Sequence, residues 1–323
     1  MKQKQPVELG YGIHLIDGFD LGLEGRTGSY ILKGEHLTIV ETSASPSVPY
    51  ILQGLAALGL DPRDVRYIVV THIHLDHAGG AGLLLNHCPQ AQVVVHPKGA
   101  RHLVDPQRLI MGARAVYGDD FDRLFDPIVP VPEERILIKG DQETLDIGSG
   151  RTLRFLDTPG HANHHFSIYD SFSNGIFTGD TIGVYYPELL DYGLSFILPT
   201  TSPNQFDPDA MLQSLARVEE LQVERIYFGH FGMCMKVDAV YEQIKEWLPR
   251  FVDTAQAILA EGNADHLAIS RRLQEQVRTR LSASGVPDDH VIYQILQLDL
   301  DVCAMGLVDY LHRREKAKES GKG

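Results

Sequence analysis

Short apolar runs, separated by glycine and charged residues, dominate the first two thirds of the chain. The runs at 11–16, 29–32 and 37–41 are rich in β-forming residues and bounded by turn residues, which is typical of β-strands. Further apolar runs predict strands at 67–70, 93–95, 153–156, 166–169, 175–178 and 226–228. Helical spacing of apolar residues predicts helices over 47–59 and 208–220. The alternation of the two patterns indicates an α/β protein.

Two segments interrupt this alternation, and the end of the chain departs from it. Residues 105–130 mix aromatic with charged residues, and this pattern predicts a helical insertion. Residues 182–205 are predicted to form a long loop, and loops of this length usually contribute to function. After residue 236 strand signals cease, and the periodicity predicts three helices, at 237–261, 265–283 and 288–318. We therefore predict an α/β domain over 1–236 and a C-terminal helical region over 237–323.

Amino-acid composition and net charge disfavour some classes of function. The chain has 323 residues, a formal net charge of -14 and 43% hydrophobic residues, which is ordinary for a globular protein. The acidic balance disfavours binding to nucleic acid or to anionic membranes. No apolar stretch reaches membrane-spanning length, and no apolar segment follows the basic N-terminus as in a signal peptide. Together with three widely spaced cysteines, these features predict a cytoplasmic protein without a disulfide framework.

The strongest chemical signal is His72-Ile73-His74-Leu75-Asp76-His77, which directly follows an apolar run. In an extended segment residues i and i+2 point the same way, so His72 and His74 can reach one metal ion from one side. Asp76 and His77 then lie at the start of a helix, and their side chains are directed at a second metal position beside the first. Four ligand-type residues at this spacing favour a metal site over a polar turn.

Three further clusters also follow predicted strands. They are Pro159-Gly160-His161, Gly179-Asp180 and Gly229-His230. Each is weak evidence alone, but four clusters at strand ends indicate one shared site at one edge of the sheets.

The order of these motifs over residues 28–232 resembles that of the metallo-β-lactamase superfamily. The resemblance implies a four-layer αββα sandwich, here with a C-terminal helical extension, and a dinuclear metal site at the sheet edge. One metal ion would be bound by His72, His74 and His161. The other would be bound by Asp76, His77 and His230, and Asp180 would bridge both.

Differences from known subfamilies narrow the activity that the resemblance implies. The main class of zinc β-lactamases lacks a ligand histidine after the aspartate and has cysteine where this chain has Asp180, so penicillin hydrolysis is not expected. Flavodiiron oxygen reductases have glutamate in place of His74. RNA-cleaving members carry a large insertion before the last histidine, whereas 50 residues separate Asp180 from His230 here. Lactonases, glyoxalase II thioesterases and a hydrolase subgroup with a His-Ala-x-His-His motif remain. Glu41 stands where family members usually have aspartate, so this position departs from the family pattern.

We expect a dinuclear hydrolase in which a bridging hydroxide attacks a carboxylic ester, lactone or thioester of a small-molecule substrate. Asp76 would orient the hydroxide and carry a proton to the leaving group, and Tyr185 or Tyr186 would contact the substrate. Zinc suits the imidazole and carboxylate donors, and iron, manganese and cobalt suit them too. The alternatives are a phosphodiesterase or phosphotriesterase, an iron-dependent persulfide dioxygenase, and a non-enzymatic binding protein. We expect 105–130 and 182–205 to cover the metal site, and a homodimer contact through the same segments stays open.

Overall fold

The computed structural model describes residues 4–262 and 265–320. Contacts divide the chain into two compact units. The first unit comprises Met1–Thr158, His164–Gly179 and Val223–Met235, and the second comprises Pro159–Asn163, Asp180–Gln222 and Lys236–Gly323. The domain boundary near residue 236 stays a prediction. Asn263, where the sequence predicts a helix break, lies outside the described residues.

A seven-stranded sheet of the first unit follows the order of the chain. Its strands are β1 (Val7–Gly10), β2 (Ile13–Asp17), β3 (Gly28–Leu32), β4 (Leu37–Val40), β5 (Val65–Val69), β6 (Gln92–Val95) and β7 (Ile136–Ile138). Strands β1 to β4 pair antiparallel, whereas β4 to β7 pair parallel. Because parallel strands end at the same edge of a sheet, the segments after β4 and β5 emerge side by side.

The second sheet of this unit has six strands. They are β8 (Thr144–Asp146), β9 (Thr152–Asp157), β10 (Phe166–Asp170), β11 (Gly175–Phe177), β14 (Arg225–Tyr227) and β15 (Met233–Cys234). Their spatial order is β15-β14-β11-β10-β9-β8, and β14 runs parallel to β11. The predicted strands of both sheets are thus confirmed, while β1, β7, β8 and β15 are too short or too polar to stand out in the sequence.

The period of two along each strand distributes apolar side chains to both faces of the first sheet. Val40, Val69 and Val94 pack with Phe155 and Phe166 of the second sheet in a core between the two sheets. The alternate positions face the other way and pack under helices; they include Ile39, Ile68 and Val93. Burial on both faces explains why these strands are continuous apolar runs in the sequence.

Six helices are described in the first unit. They are α1 (Val48–Ala57), α2 (Leu75–Ala78), α3 (Ala81–Leu85), α4 (Pro97–Val104), α5 (Gln107–Tyr117) and α6 (Phe121–Phe125). Helices α1, α3 and α4 cover the outer face of the first sheet. The predicted helical insertion at 105–130 is confirmed by α5 and α6, and Phe121 and Phe125 pack against Leu75 of the histidine-rich segment.

The second unit contains a hairpin of β12 (Val184–Tyr186) and β13 (Phe196–Leu198), followed by α7 (Pro208–Glu219), α8 (Val237–Ala260), α9 (His266–Ser282) and α10 (Ile292–Glu319). The three predicted C-terminal helices are confirmed. The predicted loop at 182–205 is wrong in part, because two β-forming triplets in it pair across a 3-10 helix. None of the helices within residues 4–262 and 265–320 combines the length and apolar composition needed to cross a membrane.

Candidate metal centre

The histidine-rich segment begins after β5 and continues into α2. Thr71 Oγ1 lies 3.1 Å from His72 Nδ1, and His72 Nε2 lies 3.1 Å from His74 Nδ1. His72 is fully buried, whereas His74 is half-buried. His72 therefore directs Nε2 toward the nitrogen of His74, as the i, i+2 spacing predicts.

Asp76, His77 and His230 form a second cluster in the same unit. Asp76 Oδ2 lies 3.5 Å from His77 Nε2 and 3.6 Å from His230 Nε2. The ligand-type atoms of the three residues all lie within 4.8 Å of one another. The fold thus brings the strand-end His230 to the acidic residue of a motif more than 150 positions earlier in the chain.

Glu41, which departs from the family pattern, contacts this cluster. It follows β4 and is 2% exposed. Its Oε2 lies 2.7 Å from His77 Nδ1, and its Oε1 accepts a hydrogen bond from the backbone N–H of Thr71 at 2.7 Å. A carboxylate on one imidazole nitrogen fixes the ring and the tautomer, so Nε2 of His77 would be left to bind a metal ion. The longer side chain of glutamate therefore still reaches the histidine from this position.

The segment carrying His230 is fixed by Tyr30, a residue that the sequence analysis did not single out. The Tyr30 hydroxyl lies 2.6 Å from the carbonyl oxygen of Phe228 and 2.8 Å from that of Gly232. Burial raises the pKa of Tyr30 well above its usual range, so the phenol stays a hydrogen-bond donor. At Gly229 a Cβ would lie only 2.7 Å from His77 Cε1, which explains the glycine before His230.

Electrostatics in the first unit favour a bound cation. Asp20 is buried, and burial, together with the nearby carboxylate of Asp76, raises the pKa of Asp20 to about 6. Arg26 and His230 oppose that shift. A buried carboxyl group whose pKa is raised by a neighbouring carboxylate lies in a region of negative potential, which a divalent cation would neutralise.

In the second unit the structure places His161 and Asp180 together. His161 Nε2 lies 3.5 Å from Asp180 Oδ2, and both side chains are buried. The turn before His161 is tight: at Gly160, with a φ of 128°, a Cβ would lie 2.4 Å from the backbone of Met211 in α7. This close approach explains the glycine before the histidine.

Tyr185 and Tyr186 lie on β12 and are 4% and 2% exposed. The Tyr186 hydroxyl donates a hydrogen bond of 2.9 Å to Asp299 Oδ2 of α10. Its neighbour in the hairpin, Phe196, meets Trp247 of α8 edge to face at 6.2 Å. Trp247 is thus a core residue, and substrate contact by either tyrosine stays a prediction.

The donor chemistry of these residues fits divalent metal ions. Buried imidazole nitrogens with a carboxylate oxygen among them are the ligands that zinc, iron, manganese and cobalt share. The Asp76, His77 and His230 group meets this requirement within one unit. The Glu41 contact to the far nitrogen of His77 adds the outer partner that metal-binding histidines usually have.

Comparison with known sequences identifies the class of protein. The sequence profile of the Metallo-beta-lactamase superfamily matches residues 23–230. The chain belongs to this superfamily, and the family and fold class expected from the motifs are confirmed.

The individual relatives named here share at most 29% sequence identity with the chain. The chain is 29% identical to the Metallo-beta-lactamase fold-containing protein ST1585 of Sulfurisphaera tokodaii over 74% of this chain and 85% of that protein. The crystal structure of ST1585 from Sulfolobus tokodaii matches with a TM-score of 0.64 at 22% identity, covering 92% of this chain and 98% of that one. That likeness shows the fold alone.

Two other relatives have functional names. The chain is 25% identical to the Putative diflavin flavoprotein A 2 of Synechocystis over 90% of this chain but 49% of that protein. It is 28% identical to the N-acyl homoserine lactonase AttM of Agrobacterium fabrum over 54% of this chain and 62% of the lactonase. The chain thus spans about half the length of the diflavin protein it matches.

Proposed function

We propose that this protein is a dinuclear metal-dependent hydrolase of carboxylic esters, lactones or thioesters. The observation that carries the proposal is the complete set of seven ligand-type residues, with Asp76, His77 and His230 clustered within 4.8 Å and supported by Glu41. The lactonase among the relatives agrees with this reaction class. The proposed ligands are His72, His74, Asp76, His77, His161, Asp180 and His230.

Asp76 is the proposed catalytic residue. Its side chain is 24% exposed, more than those of His77 and His230, which it contacts. Divalent ions bound by these residues would supply a water of lowered pKa and Lewis acidity toward a carbonyl oxygen. Asp76 would orient that water through one oxygen and carry a proton to the leaving group, since a carboxylate open to solvent can exchange protons between steps.

Charge favours a neutral acyl substrate over a phosphodiester. The net charge of -14 opposes the approach of an anion. Two arginines of the insertion that could attract a phosphate are already paired with carboxylates: Arg114 with Asp122 at 2.6 Å and Arg123 with Asp120 at 2.8 Å. Esters, lactones and thioesters need no cationic clamp.

The metal and the cellular context belong to the same proposal. We propose zinc, with iron as the first alternative to exclude, because imidazole and carboxylate donors suit both metals. We further propose a cytoplasmic enzyme that acts on a small molecule without nucleic-acid or membrane partners, as a monomer or a homodimer.

The test combines metal analysis with a substrate screen. Protein purified without chelators should contain two equivalents of divalent metal by elemental analysis, with zinc in excess of iron. It should hydrolyse a p-nitrophenyl ester, a lactone or an acyl thioester faster than bis(p-nitrophenyl) phosphate. Chelation should abolish turnover, and added zinc should restore it.

A matched pair of variants locates the reaction. Asp76→Asn, which keeps the size of the side chain but loses its charge, should reduce kcat/KM at least about 100-fold. Asp64→Asn changes an exposed aspartate of the same unit and should leave kcat/KM unchanged. Saturation at one metal equivalent would contradict the dinuclear site, and faster phosphodiester turnover would contradict the substrate class.

A further inference from the structure

The segment between β13 and α7, residues 199–207, lies along one face of α10. Thr201 Oγ1 donates a hydrogen bond of 2.8 Å to the carbonyl oxygen of Cys303. The Cys303 thiol donates to the carbonyl oxygen of Pro199 at 3.7 Å, and this buried thiol has its pKa raised to about 12 by burial. The thiol therefore stays protonated and serves as a donor.

Gly306 lets the backbone of this segment contact the helix directly. A Cβ at this position would lie 1.5 Å from the carbonyl oxygen of Thr201 and 2.7 Å from the carbonyl carbon of Ser202. Cβ atoms do not approach backbone atoms this closely, so only glycine is compatible with the observed position of the segment.

The far end of the segment is held by the same face of α10. Arg313 donates a hydrogen bond of 2.7 Å to the carbonyl oxygen of Phe206, and the buried Phe206 ring meets Tyr310 edge to face at 5.5 Å. Cys303, Gly306, Tyr310 and Arg313 are spaced three or four residues apart and thus lie on one side of the helix.

This arrangement sets the position of Ser202. Its half-buried hydroxyl lies 3.5 Å from His161 Nε2, which in turn lies 3.5 Å from Asp180 Oδ2. The same segment also fixes the His161 turn, because Gln205 Oε1 accepts from Asn163 N at 2.7 Å and Asp207 N donates to Gly160 O at 2.8 Å. The serine and the histidine are therefore held in one framework.

We propose that Ser202 is a substrate-binding residue whose hydroxyl donates a hydrogen bond to an oxygen atom of the acyl substrate, and that α10 holds it in place. This inference rests on the function proposed above. A separation of 3.5 Å is at the outer limit of a hydrogen bond, so His161 does not hold the hydroxyl strongly. A metal ion bound at Nε2 of His161 would occupy the lone pair that could otherwise accept this proton, and the serine donor would then be available to the substrate.

The proposal assigns α10 a defined part in the site. Through Cys303 and Gly306 the helix fixes the backbone next to Ser202, and through Arg313 it anchors the end of the same segment. Arg313 itself is engaged by the carbonyl oxygen of Phe206 and by Asp309 Oδ2, to which it donates at 2.8 Å.

The first experiment removes the hydroxyl. Ser202→Ala should reduce kcat/KM on the preferred acyl substrate by about 10- to 100-fold and weaken binding of its hydrolysis product, measured by calorimetry, while metal content stays unchanged. Thr200→Val removes a neighbouring half-buried hydroxyl of the same segment and should change none of the three values.

The second experiment moves the segment through α10. Gly306→Ala should speed hydrogen exchange of the amides at 200–206 in the metal-free protein and reproduce the loss of product binding in the metal-loaded protein. Gly112→Ala is the matched control, because that exposed helical glycine has nothing within 4 Å of an added Cβ.

The outcomes separate this inference from the proposed function. If wild-type protein hydrolyses none of the acyl substrates, the proposed function fails, and the substrate role of Ser202 fails with it. If wild-type protein is active but Ser202→Ala stays within twofold of it, or loses metal instead, only the inference is overturned. Unchanged exchange at 200–206 in Gly306→Ala would overturn the role of α10.

Discussion

The candidate ligands of the two units are positioned by different means. In the first unit His72, His74, Asp76 and His77 lie in one short segment after a buried strand, and Glu41 reaches them from the end of the adjacent parallel strand. In the second unit His161 lies on a turn whose position depends on side-chain and backbone contacts from residues 205 and 207. Sheet hydrogen bonding fixes the first group, whereas contacts from a loop that packs on α10 fix His161.

This difference has a consequence for stability. Residues at the ends of central strands become exposed only when most of the protein unfolds. A segment held by a few hydrogen bonds can instead unfold locally while the rest stays folded. We therefore expect changes in the first unit to alter global stability and metal affinity together, and changes in the second unit to alter activity with a smaller effect on folding.

The largest effect is expected in the second unit, at Asp180. Asp180→Ala should reduce kcat/KM more than about 100-fold, because losing a direct ligand costs more than the 10- to 100-fold typical of outer contacts. Metal titration and circular dichroism should show weaker metal binding by a folded protein. Asp253→Ala on the exposed side of α8 is the control, and near-normal activity of folded Asp180→Ala would remove Asp180 from the site.

The next largest effect is a pH dependence of the free energy of unfolding, caused by Asp20 in the first unit. The pKa of Asp20 is about 6 in the folded protein, against 3.8 for an aspartate in an unfolded chain. The folded state therefore holds the Asp20 proton more tightly than the unfolded state does. The free energy of unfolding of metal-free protein should therefore fall as pH rises from about 4 to 6, by at most about 3 kcal/mol from this group.

Asp20→Asn should remove that part of the decrease. Urea unfolding of chelated wild-type and variant protein at pH 4.5 and pH 7 measures it. Parallel pH profiles of the two proteins would exclude Asp20 as the source.

A smaller effect is expected at Glu41. Glu41→Gln should lower metal affinity by about 10- to 100-fold, since the amide supports the His77 imidazole less strongly than a carboxylate. Competition with a chelator of known affinity measures the change. Glu134→Gln, at an exposed position, should bind metal like the wild type. Equal affinity in Glu41→Gln would show that burial alone orients His77.

The smallest effect is expected at Tyr30. Tyr30→Phe leaves the carbonyl groups of Phe228 and Gly232 without the hydroxyl and should lower the free energy of unfolding by about 1–2 kcal/mol. Tyr241→Phe is the control, because that buried hydroxyl makes no hydrogen bond to any described residue. If both variants lost the same stability in urea unfolding, the contact of Tyr30 to the His230 segment would not be stabilising.

The sequence by itself determined the elements whose signal is local. Apolar runs of three to six residues marked most strands of the two sheets, and helical spacing marked all three C-terminal helices within a few residues. The spacing of His72, His74, Asp76 and His77 also predicted a metal site, because residues so close along the chain can be arranged in few ways.

Tertiary structure alone decided the contacts between distant positions. Glu41 and His77 are 36 residues apart, Ser202 and His161 are 41 apart, and Tyr30 and Phe228 are 198 apart. Nothing in the sequence around Glu41 says whether the longer side chain still reaches His77, and Ser202 lies in a segment without periodicity. Such pairs meet only after sheets and helices pack, because the distance between their atoms depends on the whole path of the chain between them and not on its local pattern.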